Sequence, residues 1–309
     1  MSRGRNYPIG TPGQPWGANE IAQWQAQQSK KRSYSNDVLR IVESIRGRHD
    51  IHEYGSVRYA GEHFPFVAVR SKNWREDLPL VLVTGGVHGY ETSGVRGALR
   101  FLENRAPEYA GRVNLLVVPC VSPWAYERVV RWNHDAMDPN RNFRESSTVK
   151  ECTALMDLLA SARRKMLVHV DLHETTDSDE SEFQPALAAR DGKTYEPKGI
   201  PDGFYLVDDA TKPQPAFQQA IVEAVSRQTH IAPPDAKGEI IGLPVAARGV
   251  IEFDLRKLGL CAGVTDAPFV TTTEMYPDGP NISSDLCDEV QVTAVCAAID
   301  FALASKRHG

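Results

Sequence analysis

Apolar positions along this chain fall into short dense runs separated by helical stripes. Residues 78–84, LPLVLVT, are almost continuously apolar, as expected of a strand buried on both faces near the middle of a sheet. Just beyond, Val95, Ala98, Leu99 and Leu102 recur at i, i+3, i+4 and i+7, the stripe of a helix with one buried face. Residues 113–118 and 165–172 repeat the strand pattern, and 147–162 between them reads as a helix. Upstream, the pattern predicts a helix over 35–45 and extended segments over 51–57 and 64–71. Downstream it predicts strands at 204–207, Val250–Phe253 and 269–273, then a closing helix over about 285–304. Residues 1–32 are rich in Gly, Pro, Gln and basic side chains and read as an N-terminal extension, with a helix near 21–28 and no chemistry of its own. Residues 33–309 read as one domain. Strands alternating with helices predict an α/β fold, its central sheet mixed, mostly parallel and twisted, with helices flanking it.

Composition narrows the class without naming it. Of 309 residues, 41% are hydrophobic and 24% charged, which excludes a globally disordered chain. Lys and Arg total 35 against 40 acidic residues, so the net charge of -5 lacks the basic footprint of a nucleic-acid or anionic-membrane partner. No run approaches the roughly 18 apolar residues that suggest a membrane span. The N-terminus shows no apolar core of a secretory signal. Five cysteines, Cys120, Cys152, Cys261, Cys287 and Cys296, are odd in number and widely spaced. They predict reduced thiols in a cytoplasmic protein and no cysteine-built metal site.

Three polar segments carry candidate chemistry. GGVHGYE follows the 78–84 strand, and its glycines allow a tight turn that brings His88 and Glu91 toward one point. HVDLHE ends another strand and supplies His173, with His169 and Asp171 on the same face by the strand's period. Two His and one Glu leave a fourth position open for water, the arrangement of a catalytic zinc site, and His88, Glu91 and His173 make up that set. All three are expected on loops; His169 reads instead as a hydrogen-bonded core histidine. The third segment, RWNHDAMDPNRNF, sets two arginines around Asp and Asn; arginine forks bind carboxylates in bidentate fashion, and a cation near a metal can stabilise an oxyanion. A fourth feature, the acidic run 177–182, reads more simply as a solvated loop than as a wall selecting basic substrates.

Taken in order, HxxE at His88–Glu91, the stretch from Arg131 to Phe143 and the DLH ending at His173 resemble the zinc carboxypeptidase superfamily, which includes the succinylglutamate desuccinylase and aspartoacylase enzymes. The resemblance spans about Tyr34 to the last helix. It implies one Zn2+ per chain, held by His88, Glu91 and His173, with Asp138 orienting the first His. It also implies that Asn140 and Arg141 grip a substrate carboxylate and that Arg131 polarises the scissile carbonyl. The carboxylate that activates water is implied to lie on a strand shortly before the last helix, which favours Glu274 over Glu252, with Glu174 a third choice. The family's mobile tyrosine has Tyr205 and Tyr276 as candidates. The expected activity is hydrolysis of an amide next to a free carboxylate, by a metallocarboxypeptidase acting on short peptides. An N-acyl-amino-acid deacylase and a catalytically inactive binding relative are the alternatives.

Overall fold

The computed structural model describes residues 7–160, 162 and 166–306; the expected start of a strand at Lys165, and residues 1–6 of the expected extension, lie outside them. Ten strands occur among the described residues: β1 (His49–Tyr59), β2 (Glu62–Ser71), β3 (Leu80–Gly85), β4 (Asn114–Val118), β5 (Met166–Glu174), β6 (Tyr205–Asp209), the short pair β7 (Glu239–Ile240) and β8 (Leu243–Pro244), β9 (Val250–Phe253) and β10 (Phe269–Met275). Eight of them form one sheet in the order β1-β2-β4-β3-β5-β10-β6-β9. Its centre, β4-β3-β5-β10, is parallel, while β2 and β6 join it antiparallel. The sheet is therefore mixed with a parallel middle, and helices cover both faces, as the alternation of patterns predicts.

β3 is buried along its whole length because it has a core on each side. Val81 and Val83 pack with the helices Thr92–Asn104 and Ser284–Ser305, whereas Leu80 and Leu82 face Leu155, Leu159 and Leu255 on the other side. Burying one such side chain contributes about 1.5–3 kcal/mol, which explains why the run is uninterrupted by polar residues.

The N-terminal extension is not a detached tail over its described part. Ile9 and Trp24 are buried in the main core, and a helix runs over Ala18–Ala26. The amide of Trp16 donates to the Arg190 carbonyl at 2.8 Å, and its ring meets Trp132 edge-on. A few aromatic anchors are enough to dock this polar segment.

A candidate metal centre and its cavity

The parallel middle of the sheet brings three strand ends to one place. In β3 and β5, Gly85 lies opposite Leu172, and in β5 and β10, His173 lies opposite Glu274. Past β3 the chain turns at Gly86, whose φ of 62° is the left-handed region that glycine adopts without strain. Gly89, between His88 and Glu91, runs against the backbone of Ala125, where a Cβ would lie 1.9 Å from the carbonyl carbon. Gly89→Ala must therefore displace the turn that carries both side chains. It is expected to cost about 1–3 kcal/mol and to lower zinc occupancy at limiting metal. Unchanged melting temperature and occupancy would contradict this.

Glu91 is the N-cap of the helix Thr92–Asn104, yet its side chain does not cap it. Glu174 does so instead, accepting from the amides of Thr92 and Ser93 at 3.0 and 2.7 Å. Both Glu174 oxygens are thus engaged with the helix end, although the side chain also lines the same cavity as His88 and Glu91. The Glu91 carboxylate is left to face the two imidazoles: Oε1 lies 2.6 Å from His88 Nδ1, and Oε2 lies 2.8 Å from His173 Nδ1. Oε2 is buried and lacks a hydrogen bond of good angle. Each imidazole is backed at Nε2 by a carboxylate, Asp138 at 3.1 Å behind His88 and Asp171 at 2.9 Å behind His173. Backing of this kind fixes the ring and raises the basicity of the nitrogen that faces inward. Two inward Nδ1 atoms around a carboxylate with an orphaned oxygen fit a divalent zinc-type ion. One expectation is corrected: His173 is not on a loop but inside β5, buried at 1% exposure, so this ligand is part of the sheet.

His169 lies deeper on the same strand, with Nε2 3.0 Å from Thr84 Oγ1. Burial pushes its pKa down to about 4, so it stays neutral. It groups with Asp171 and Cys261 beneath the candidate centre.

Asp138 joins the metal centre to the polar loop. Its Oδ1 faces His88 and its Oδ2 accepts from Arg131 Nε at 3.1 Å. Burial works to raise this carboxyl, but the Arg131 guanidinium and His88 outweigh it and hold the group well below the usual carboxylate range. Asn140 is buried; its Oδ1 accepts from the Cys261 amide at 2.8 Å, and its Nδ2 lies 3.5 Å from His173 Nε2. Arg141 follows on a short turn and is exposed, its Nη1 donating to the Asn140 carbonyl. It makes no ion pair among the described residues.

One cavity of about 580 Å³ gathers His88, Glu91, Arg131, Asn140, Arg141 and Glu274 along its wall. Glu274 Oε2 accepts from Thr175 Oγ1 at 2.8 Å, and that hydroxyl also meets Tyr205 Oη. Burial, reinforced by Glu91 and opposed by His173, pushes the Glu274 carboxyl up to about 7. Glu252 sits on β9 opposite Asp208, with β10 and β6 between it and β5. Tyr205 is fixed in the cavity wall, whereas half-buried Tyr276 bonds Asp177 and is not part of the cavity lining.

Three contributors escape the sequence motifs. Gln291, on the last helix, donates to the His173 carbonyl and accepts from Thr273, tying β5 to β10. Thr175 holds Glu274. Asp179 belongs to the acidic run but is buried beside Arg131, so that run is not wholly a solvated loop. Phe183, four residues on and also buried, was the available signal that one face of 177–182 turns inward.

Comparison with known proteins finds one family model and several similar solved structures. The model of the succinylglutamate desuccinylase/aspartoacylase catalytic domain matches residues 77–196. A metallopeptidase candidate of Shewanella denitrificans OS217 is 24% identical, with a TM-score of 0.61 over 87% of this chain and 91% of that one. A metallo-carboxypeptidase of Burkholderia cenocepacia is 14% identical, with a TM-score of 0.57 over 94% and 70%. Carboxypeptidase A of Helicoverpa armigera is 12% identical, with a TM-score of 0.58 over 96% and 75%. No curated protein matches the chain in sequence. The chain thus shares the fold of these metallopeptidase and carboxypeptidase structures, and its residues 77–196 match the catalytic-domain model of the succinylglutamate desuccinylase/aspartoacylase family. Among the described residues no helix is long and apolar enough to cross a membrane.

Proposed function

We propose that the protein is a zinc-dependent carboxypeptidase that removes a C-terminal amino acid with an apolar side chain from short peptides. The observation that carries this reading is Arg141, an exposed guanidinium with no ion pair among the described residues, which opens onto the same cavity as His88, Glu91 and Glu274, with His173 opposite Glu274 on the neighbouring strand. A substrate carboxylate is the natural partner for such a fork. The same cavity is lined in part by Val207, Leu243, Phe253, Leu258 and Leu260, an apolar group that suits an uncharged side chain.

In this reading His88, Glu91 and His173 hold the zinc. When bound, it supplies a water of lowered pKa and a Lewis acid for the carbonyl oxygen. Glu274 accepts the proton of the attacking water at Oε1 and returns it to the leaving nitrogen. Arg131 donates to the oxyanion as it develops. Arg141 and the Nδ2 of Asn140 hold the terminal carboxylate and so set which bond is cut. The five cysteines, all buried and unpaired, support the cytoplasmic reading.

A second reading, an N-acyl-amino-acid deacylase, draws on the family match over 77–196. A succinyl group would bring a further carboxylate, for which Lys193 and Lys198 line the cavity. The zinc-loaded protein, tested on dipeptides with apolar, acidic and basic C-terminal residues and on N-acetyl and N-succinyl amino acids, separates the two. Highest kcat/KM on an apolar C-terminal residue supports the first, and on an N-succinyl amino acid the second.

Arg141→Lys keeps the charge and loses the planar fork. It is expected to raise KM for free-acid peptides about tenfold, the effect of losing about 1.4 kcal/mol of binding. Wild-type protein cleaving a peptide and its C-terminal amide equally well would remove Arg141 from this role.

A further inference from the structure

We propose that Asp179, together with the Tyr90 hydroxyl, is a positioning residue that fixes the Arg131 guanidinium before substrate arrives. This rests on the reading of Arg131 given above. Arg131 Nε donates to Asp138, while Nη1 donates to Tyr90 Oη at 3.2 Å and lies 3.3 Å from Asp179 Oδ1. Tyr90 Oη donates to the same Asp179 oxygen at 2.7 Å, closing a triangle. The other Asp179 oxygen accepts from the Thr176 amide at 2.9 Å. Arg131 is thus held at two corners of its plane. Nη2 has no hydrogen-bond partner among the described residues, and the side chain lines the cavity.

The segment that carries Asp179 is itself pinned to the Arg131 loop. The Phe183 ring packs on Tyr90 with centroids 4.3 Å apart. Arg190 donates to the Ala136 carbonyl at 2.9 Å and lies over the Trp132 ring. The N-terminal extension holds Arg190 from behind through Trp16. Asp138 already balances the charge of Arg131, so a second buried carboxylate adds desolvation cost. What it gains is one geometry for a long side chain whose rotamers would otherwise have to be fixed during the reaction.

The test uses the zinc-loaded protein and the best substrate of the peptide panel. Asp179→Asn and Tyr90→Phe are each made alone and in an Arg131→Ala background. Each alone is expected to lower kcat about 10- to 100-fold, with KM within about twofold and zinc stoichiometry unchanged. In the Arg131→Ala background neither should lower kcat further, because both act through that side chain. Equal losses in both backgrounds would overturn the proposal in favour of a general structural role. Tyr90→Phe removes one oxygen and keeps the reading available if Asp179→Asn folds poorly. A crystal structure of Asp179→Asn is expected to show the Arg131 guanidinium displaced, and an unmoved guanidinium would overturn the proposal without reference to turnover. Wild-type kcat in Arg131→Ala alone would instead overturn the catalytic reading of Arg131, leaving the crystallographic result to decide the clamp.

Discussion

Glu274→Gln is expected to retain zinc and substrate binding while lowering kcat by about 10²–10⁴-fold, the usual contribution of a well-placed proton-transfer group. Glutamine keeps the shape and can still accept from Thr175 Oγ1, so the cavity should not rearrange. It cannot take a proton from water and return it to a leaving nitrogen. A carboxyl pushed up to about 7 is suited to both halves of that task near neutral pH. The ionised form is the base, so kcat/KM should fall as pH decreases through its pKa. A neighbouring cation favours the charged form, which puts the acid limb of the metal-loaded enzyme at or below about 7. Glu252→Gln is the control. Glu252 is three strands from β5, roughly 14 Å at ordinary strand spacing, and should leave kcat near normal. Loss of turnover in Glu252→Gln with none in Glu274→Gln would show that the wrong strand carries the base.

His173→Ala is expected to abolish stoichiometric zinc binding and activity together. It should also cost stability, because His173 lies inside β5 between two buried carboxylates, Asp171 and Glu91. Removing the shared partner leaves Glu91 with His88 and Asp171 with the Thr84 hydroxyl, so the loss should approach the roughly 3–5 kcal/mol of a broken buried pair without exceeding it. Metal analysis and thermal melting of the variant read the two consequences separately. Full zinc occupancy in His173→Ala would move the site to other ligands, His169 first among them.

The central strands were legible because a sheet covered on both faces demands unbroken apolar runs, and those runs stand out at β3, β4 and β5. Their ends were less so: β10 continues through Glu274 and Met275, and β5 through His173 and Glu174, past the point where polar residues begin. Strand pairing, rather than apolarity, sets those limits. The helix Pro215–Val225 is missing from the expected elements although Phe217, Ile221, Val222 and Val225 have helical spacing; buried Gln218 interrupts the stripe because it bonds Thr271 and the Val270 carbonyl inside the core. The candidate site was readable where side chains cluster in local motifs, as at His88–Glu91 and Asp138–Arg141. Asp179 and Gln291 were not, since each meets its partners only after distant segments pack, and a buried acid in a charge run looks like its solvated neighbours.

The central claim is that this chain hydrolyses the amide next to a free C-terminal carboxylate. Its most direct test is the product formed from N-acetyl-Ala-Ala-Phe by protein holding stoichiometric zinc, followed by mass spectrometry with and without a chelator. The account predicts free phenylalanine and N-acetyl-Ala-Ala in equal amounts, with both lost when zinc is removed. Intact peptide and intact N-acyl amino acids in the presence of fully zinc-loaded, folded protein would contradict it and leave a binding protein built on a hydrolase fold.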